Sequence, residues 1–375
     1  MLSHHRPLRD FPVLDILQLI RSENVGPVTF FNLVSYYGSP AKALEAIPEL
    51  AKRGGKKRPL KACPRDVAEA EREAATAYGA QLIAFGAEHY PKPLQHCHDA
   101  PPLLMALGNP ELLNTTNILG VVGARNASAN GCAFVKKTAE DLGAQNYAIA
   151  SGLARGIDTA AHLGSLATGT IAVIAGGIDH IYPPENATLY TNIAEQGVIV
   201  AEAPFGTSPQ ARHFPARNRI IAGISQGLLV AEASRKSGSL ITANYALDYG
   251  RDVFAMPGSP LDPRSAGANS LIKNGAQLVE SASDITQNLR REDLFKEDET
   301  SAFSPAPPAP TSDTELAAAR DKLLEKLSPE PVLLDELLAQ CETTPHILLG
   351  LLLELELAGK LIRHSGNKVS VRYEP

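Results

Sequence analysis

Tryptophan is absent from this 375-residue chain, and aromatic residues make up only 5% of it. A long row of stacked rings along an extended ligand is thereby excluded. The four cysteines, Cys63, Cys97, Cys132 and Cys341, lie far apart with no CxxC pair. That argues against a disulfide framework and fits a reducing, cytoplasmic compartment. No stretch reaches the roughly 18 uninterrupted apolar residues of a membrane span, and MLSHHRPLRD is followed by no apolar h-region, so neither a membrane location nor a secretory signal is expected. A basic excess is missing too: 35 Lys and Arg stand against 41 Asp and Glu, a net charge of −6. The surface is therefore not coated in nucleic-acid-binding charge, although a local basic pocket is compatible with that balance. The P-loop pattern GxxxxGK[ST] does not occur, and the first strand-to-helix turn reads GVVGAR instead of GxGxxG. No clear ribose-binding acid follows it, since Asp141 falls within the next helix; ATP and NAD sites, and cofactors generally, are not expected.

What is present is a soluble globular composition, 44% hydrophobic and 20% charged, long enough for two or three domains. Residues 1–80 read as helices: LDILQLIRS is helix-periodic, and NVGPVTFFNLVSYYGSPAKALEA gives a Gly-Pro turn, a helix, a Gly-Ser-Pro break and another helix. This suits a SAM-like or helix-hairpin-helix-like module, or a plain helical packing unit. Over 81–292 short apolar runs (QLIAF, NILGVVG, YAIAS, TIAVIAG, GVIVAEA, GLLVAEA, DVFAMPG, QLVES) alternate with amphipathic ones. Val/Ile/Ala-rich runs without polar alternation are strands buried on both faces, so the expectation is an α/β fold with a Rossmann-like parallel sheet. Residues 293–312 form a linker, Pro/Ala/Ser-rich over EDETSAFSPAPPAPTS, and 313–375 give three helical runs and a hairpin, like a winged helix.

In such a sheet ligands bind beyond the carboxyl ends of the strands. Four turns there share one style. ILGVVGARNASANG (118–131) ends a strand at Gly123, adds Arg125 and offers Ser128 as a helix cap. AIASGLARGIDTAAH (148–162) has Gly152 and Gly156 for close backbone approach and Arg155 for charge. LLVAEASRKSGSLITA (228–243) sets Arg235 and Lys236 before Ser237, Gly238 and Ser239 at a helix start. ARHFPARNRIIAG (211–223) places Arg217, Asn218 and Arg219, behind Phe214, in the first turn of a helix with a buried Ile220, Ile221, Ile224 stripe. The helix dipole disfavours cations in a first turn, so this pair calls for an external anion. Helix N-terminal amides, small residues and a cation together bind anions, and a series of such cradles suits a polyanion better than one mononucleotide.

Catalytic residues are not expected. Asp158 and His162, at i and i+4, share a helix face but have no activated nucleophile beside them, so they read as a supporting pair. Glu202 and Glu232 end strands in the sequence AEA and are expected to pair with or orient neighbouring arginines. His96, Cys97 and His98 read as a polar loop, not a metal site. A nucleotide-processing enzyme and a protein adaptor that binds no DNA are the rival classes; the number of basic turns disfavours both.

The runs SGLARGIDTAAH, TIAVIAGGIDHIYPPEN and FPARNRIIAG…EASRKSGSLITANYALDYGRDVFAMPG…GANSLIKNGA closely resemble the DNA-processing protein A (DprA, or Smf) family, through most of residues 81–290. The flanking modules match that family's three-part layout. The resemblance implies a non-enzymatic protein of natural transformation that binds and protects incoming single-stranded DNA, helps load RecA recombinase onto it, and dimerises through its Rossmann-like domain. Carried onto this chain, it implies DNA contacts from Arg125, from the backbone at Ser151 and Gly152, from Phe214, Arg217, Asn218 and Arg219, and from Lys236, Ser237 and Gly238. One departure is Ala124, where the family commonly has serine before the arginine; a hydroxyl contact to phosphate is lost there.

The expected mechanism is phosphate neutralisation by Arg125, Arg217, Arg219 and Lys236, with Phe214 as a stacking face for an unpaired base and little sequence preference. The C-terminal module does not suit duplex reading. Over 313–375 seven Lys/Arg face eleven Asp/Glu, and its last helix, HILLGLLLELELAGK, carries Glu354, Glu356 and more leucine than one buried face requires. A protein-contact surface is the expectation.

Overall fold

The apolar runs from QLIAF to QLVES each become a strand, and one further strand joins them. In the computed structural model, which describes residues 5–54, 60–293, 313–364 and 367–372, the chain begins with helices α1 (Val13–Ile20), α2 (Pro27–Tyr37), α3 (Pro40–Arg53) and α4 (Arg65–Ala77). Then follow β1 (Gln81–Ala84), α5 (Lys92–Gln95), β2 (Leu103–Gly108), β3 (Ile118–Val122), α6 (Ala129–Gly143), β4 (Ala148–Ser151) and α7 (Ile157–Ser165). The series continues with β5 (Thr170–Ile174), α8 (Ala187–Gln196), β6 (Val198–Ala201), α9 (His213–Ile224), β7 (Gly227–Val230) and α10 (Gly238–Asp248). It ends with β8 (Asp252–Ala255), α11 (Ala266–Lys273), β9 (Gln277–Leu278) and α12 (Ala282–Asp293). The last part holds α13 (Asp313–Lys326), β10 (Val332–Leu333), α14 (Leu334–Cys341), α15 (Pro345–Leu357), β11 (Leu361–His364) and β12 (Lys368–Val371). Apart from Asp293, the linker expected over 293–312 lies outside the described residues, as does most of the basic turn RGGKKR.

The large sheet has the order β1-β2-β6-β5-β4-β3-β7-β8-β9. From β6 to β9 all neighbours are parallel; β2 runs antiparallel to β6, and β1 antiparallel to β2. The antiparallel edge departs from the all-parallel expectation. β3, β4, β5 and β6 step outward in one direction, and the chain then returns to lay β7 beside β3. This reversal is the topological switch point at which open sheets of this kind form ligand crevices. The strands are buried on both faces: Leu119, Val121, Ile149 and Leu229 pack with α6, α7 and α12 residues, while Ala172, Ile174, Ile199 and Ala201 pack with Leu189, Tyr190 and Ile193 of α8. Among the described residues no helix is long and apolar enough to cross a membrane.

The chain packs as two units that do not follow the order of its modules. One comprises Met1–Arg9 and Ala70–Lys296; the other comprises Asp10–Glu69 and Glu297–Pro375. In the second unit, α13, α14 and α15 with the antiparallel sheet β10-β12-β11 form a winged helix. The surplus leucines of α15 are explained here. Leu348, Leu351, Leu352 and Leu355 fill the winged-helix core, Leu353 and Leu357 outside that cluster are buried as well, and α2 and α3 lie against the same helix. Polar groups fix the contact: Tyr36 stacks on His346 with ring centroids 4.4 Å apart, Thr29 Oγ1 donates to Glu356 at 2.7 Å, and Asn24 Nδ2 donates to the Leu357 carbonyl at 2.9 Å. Buried Glu354 pairs with Arg320. The expected protein-contact surface is therefore covered by this chain's own N-terminal helices.

At Gly54 the α3 end approaches α15 so closely that an added Cβ would overlap the carbonyl oxygen of Glu354. Because that neighbour is backbone and cannot swing aside, Gly54→Ala is expected to destabilise this unit by about 1–3 kcal/mol, as over-packing does. Scanning calorimetry would register it as a lowered transition; an unchanged transition would mean the two helices are not held this closely.

Candidate nucleic-acid interface

Loops leaving β3, β4 and β5 meet the start of α9 around a pocket of about 190 Å³ lined by Arg125, Gly152, Arg155, Tyr182, Phe214 and Arg217, among others. The loops lean on one another through backbone, Ile157 N–H donating to the Ala124 carbonyl at 3.2 Å. Arg125 is exposed and lays its guanidinium carbon 4.8 Å from the centroid of the Phe214 ring. Tyr182 tilts against Phe214, their ring centroids 5.8 Å apart. Arg155, also exposed, pairs loosely with Glu185 at 3.5 Å. The pocket thus joins two aromatic faces to three guanidinium groups, the chemistry that holds a base and its phosphates.

Helix α9 begins at His213, earlier than the sequence suggests, so Arg217 and Arg219 lie past its first turn. The dipole penalty there is slight, since the effect fades within one turn. Residues two apart on an α-helix also point about 200° apart, and the two arginines accordingly have different fates.

Arg217 turns to the pocket and Arg219 turns away. Arg219, 6% exposed, pairs with Glu202 and donates to the Asp99 carbonyl, while Tyr249 Oη donates to the Asp99 carboxylate at 2.6 Å. Burial alone would lower the Arg219 pKa, but Glu202 and Asp99 outweigh it and hold it above its ordinary value. Its charge is satisfied internally, which corrects the expectation that Arg219 neutralises a ligand phosphate. Arg217, also 6% exposed, donates to the Val173 carbonyl, and its Nε is buried without a partner among the described residues. Burial lowers its pKa to about 10, with Asp158 opposing that and Arg125 adding to it.

Ser151 and Gly152 do not offer an open backbone grip. Ser151 is fully buried, its Oγ donating to the Val121 carbonyl at 2.6 Å. Gly152 borders the pocket because it has no side chain: a Cβ there would overlap the Arg217 guanidinium. Asp158 and His162 are buried beneath this turn, as a supporting pair would be. Asp158 accepts from Ala154 N–H and His162 Nε2 from Leu153 N–H, each at 3.3 Å. Burial drives the His162 pKa down to about 3, with Arg217 adding to the effect.

The remaining turns divide likewise. Ser128 caps α6 as expected, its Oγ accepting from Gly131 N–H at 2.9 Å. Glu232 also sits there, accepting from Ser128 N–H at 2.9 Å and from the Ser128 hydroxyl, so this helix start already holds an anion. That corrects the expected phosphate cradle at α6; the arginine that feels the Glu232 charge, Arg264, is paired directly with Asp262. At the end of β7, Lys236 and Gly238 are exposed, Ser237 caps α10, and nothing would stand within 4 Å of a Cβ added to Gly238. Asn218 Nδ2 reaches the Gly238 carbonyl at 3.4 Å, tying this open turn to α9.

Arg125→Ala should leave thermal stability almost unchanged, because the group faces water. Arg219→Ala should destabilise the fold by about 3 kcal/mol, because it strands two carboxylates in a mostly buried site. Calorimetry on both variants tests the division; equal effects would erase it.

Three family descriptions match the chain. DNA recombination-mediator protein A covers residues 81–290, a DprA-like N-terminal HHH domain covers 12–74, and a DprA winged helix domain covers 306–367. The chain is 44% identical to the DNA processing protein DprA of Bacillus subtilis over 213 residues, which span 56% of this chain and 72% of that one. It is 38% identical to protein Smf of Escherichia coli over 296 residues, 78% of this chain and 77% of that one. The solved structure of DNA processing protein A from Streptococcus pneumoniae superposes with a TM-score of 0.60 at 36% identity, covering 72% of this chain and 95% of that one. DNA processing protein A from Helicobacter pylori, whose structure describes a single-stranded DNA binding mode, gives a TM-score of 0.53 at 28% identity, covering 57% and 96%.

Proposed function

The chain belongs to the DNA recombination-mediator protein A family, and from that premise we propose that it binds single-stranded DNA in the pocket between β3, β4, β5 and α9. The observation that carries this is the juxtaposition of Arg125, Phe214, Tyr182 and Arg217 around one opening. A duplex hides the faces of its bases, whereas an unpaired base can lie against Phe214 or Tyr182 while Arg125 and Arg217 take neighbouring phosphates. Lys236 and the open start of α10 extend the positive track beside α9. Among the described residues the lining is mainly arginine, aromatic, glycine, alanine and proline, and Asn and Gln are missing from it, so binding is weakly dependent on sequence. A relative that binds single-stranded DNA supports the same reading.

The family premise extends the proposal to DNA processing in natural transformation: the chain protects the incoming strand in the cytoplasm, acts as a homodimer through its α/β unit, and passes the strand to RecA recombinase without turning over a substrate. The strand-end acids are engaged elsewhere, Glu202 with Arg219 and Glu232 with Ser128, which supports a binding role. The winged helix stands apart from the strand-binding role. The helix that such a domain would lay in a major groove is α15, and α2 and α3 pack against it.

Two substitutions separate the phosphate and base contributions. Arg125→Ala should weaken binding of a short single strand and reduce the steepness of its salt dependence by about 0.7. Phe214→Ala should weaken it by about 1–3 kcal/mol with the salt dependence nearly unchanged. Fluorescence anisotropy at several salt concentrations measures both, and wild-type affinity in either folded variant would remove that residue from the site.

A further inference from the structure

Asp158 takes no part in the strand contacts proposed above, yet it is buried beneath the turn that borders the pocket and only 6% exposed. Its Oδ2 accepts from Ala154 N–H at 3.3 Å, and the Gly152 N–H is also directed to it. His162, one turn along α7, accepts from Leu153 N–H at 3.3 Å and meets Thr170 Oγ1 at 2.7 Å. Asn186 Nδ2 donates to the Leu153 carbonyl at 2.9 Å. Three side chains thus fix the turn 152–154 from below. The Arg217 guanidinium lies against the same turn, in the space Gly152 leaves free. Asp158 and Arg217 feel each other's charge. Arg217 keeps one buried nitrogen, Nε, without a partner among the described residues.

We propose that Asp158 is a positioning residue and the internal counter-charge of the pocket: it holds the 152–154 turn against Arg217 and, while ionised, cancels part of the charge that Arg217 offers to a nucleic-acid phosphate. The inference rests on the single-strand reading of this pocket. A phosphate at Arg217 and the carboxylate below it compete for one cation, so bound DNA favours the protonated acid. Burial already pushes Asp158 up to about 6, against the opposing pull of Arg217. As pH falls from neutral through this region, the acid takes up a proton, Arg217 is left unbalanced, and strand affinity rises.

The other charged groups around Asp158 do not mimic this once a variant is compared. Arg125 reaches it from the β3–α6 loop, and Arg155 on its own turn is paired with Glu185. His162 is held neutral by burial. His213, at the start of α9 and lowered by burial with Arg212 adding to it, adds positive charge on acidification in wild type and variant alike.

The test uses the full chain and a labelled oligothymidine, whose bases do not titrate between pH 5.5 and 7.5. Wild-type affinity should tighten about fivefold across that range at constant ionic strength. Asp158→Asn keeps an acceptor for the Ala154 N–H but carries no charge; it should lose most of the pH dependence and bind more tightly than wild type at pH 7.5. Calorimetry of wild-type binding near pH 6, in two buffers of different ionisation heat, should report net proton uptake, a readout that does not depend on the variant folding. An Asp158→Asn protein with the wild-type pH profile, or with weaker binding at pH 7.5, would overturn the inference, as would the absence of proton uptake. A wild-type chain that binds no strand at any pH would instead overturn the single-strand reading and this inference with it.

Discussion

The fit of the Arg217 guanidinium against Gly152 is the contact on which the pocket depends. A buried cation has to be compensated, and here the compensation is spread over the Val173 carbonyl and the field of Asp158. Such a group is only partly satisfied from within and remains available to an outside anion. The position is possible because residue 152 has no side chain and because Asp158, His162 and Asn186 pin the turn that carries it. Arg219 shows the alternative. It has the same charge and burial on the same helix, but Glu202 and Asp99 complete its pairing, so it fastens α9 to the sheet instead of serving a ligand.

The second unit rests on a different economy of surface. Helix α15 is apolar on more faces than a winged helix alone can bury, and the N-terminal helices, some 300 residues earlier in the chain, use what remains. Glycine at position 54 and the Tyr36–His346 stack bring the two parts into direct contact. The winged helix thus serves as a scaffold for the N-terminal module, with acidic Glu354 and Glu356 paired inside the unit with Arg320 and Arg363, and Glu356 also accepting a hydrogen bond from Thr29.

Much of the α/β unit is legible in the amino-acid sequence alone. Runs such as TIAVIAG and GVIVAEA are short, rich in β-branched residues and flanked by glycine, features that favour buried strands over helix. β2 is not legible in this way: LLMALG lacks β-branched residues and is as compatible with helix as with strand, so only pairing with β1 and β6 decides it. Motif style picks out Arg125, Phe214 and Arg217, which line one pocket, and the open 236–238 turn. It does not separate Arg217 from Arg219, although their spacing of two on a helix already places them on opposite sides. Nor does it single out Tyr182, which joins Phe214 only through the path of the loop after β5. The fate of each helix start is equally hidden, since whether an N-terminus is free depends on a distant carboxylate, as Glu232 is for α6.

The division of labour among these arginines is what the pocket depends on. It is tested most directly by solving the structure of the chain bound to a short oligothymidine. A base against Phe214 or Tyr182, with phosphates at Arg125 and Arg217 and the Arg219–Glu202 pair intact, is the predicted result. A strand lying elsewhere with this pocket empty, or phosphate bound by Arg219 after its pair has opened, would contradict it.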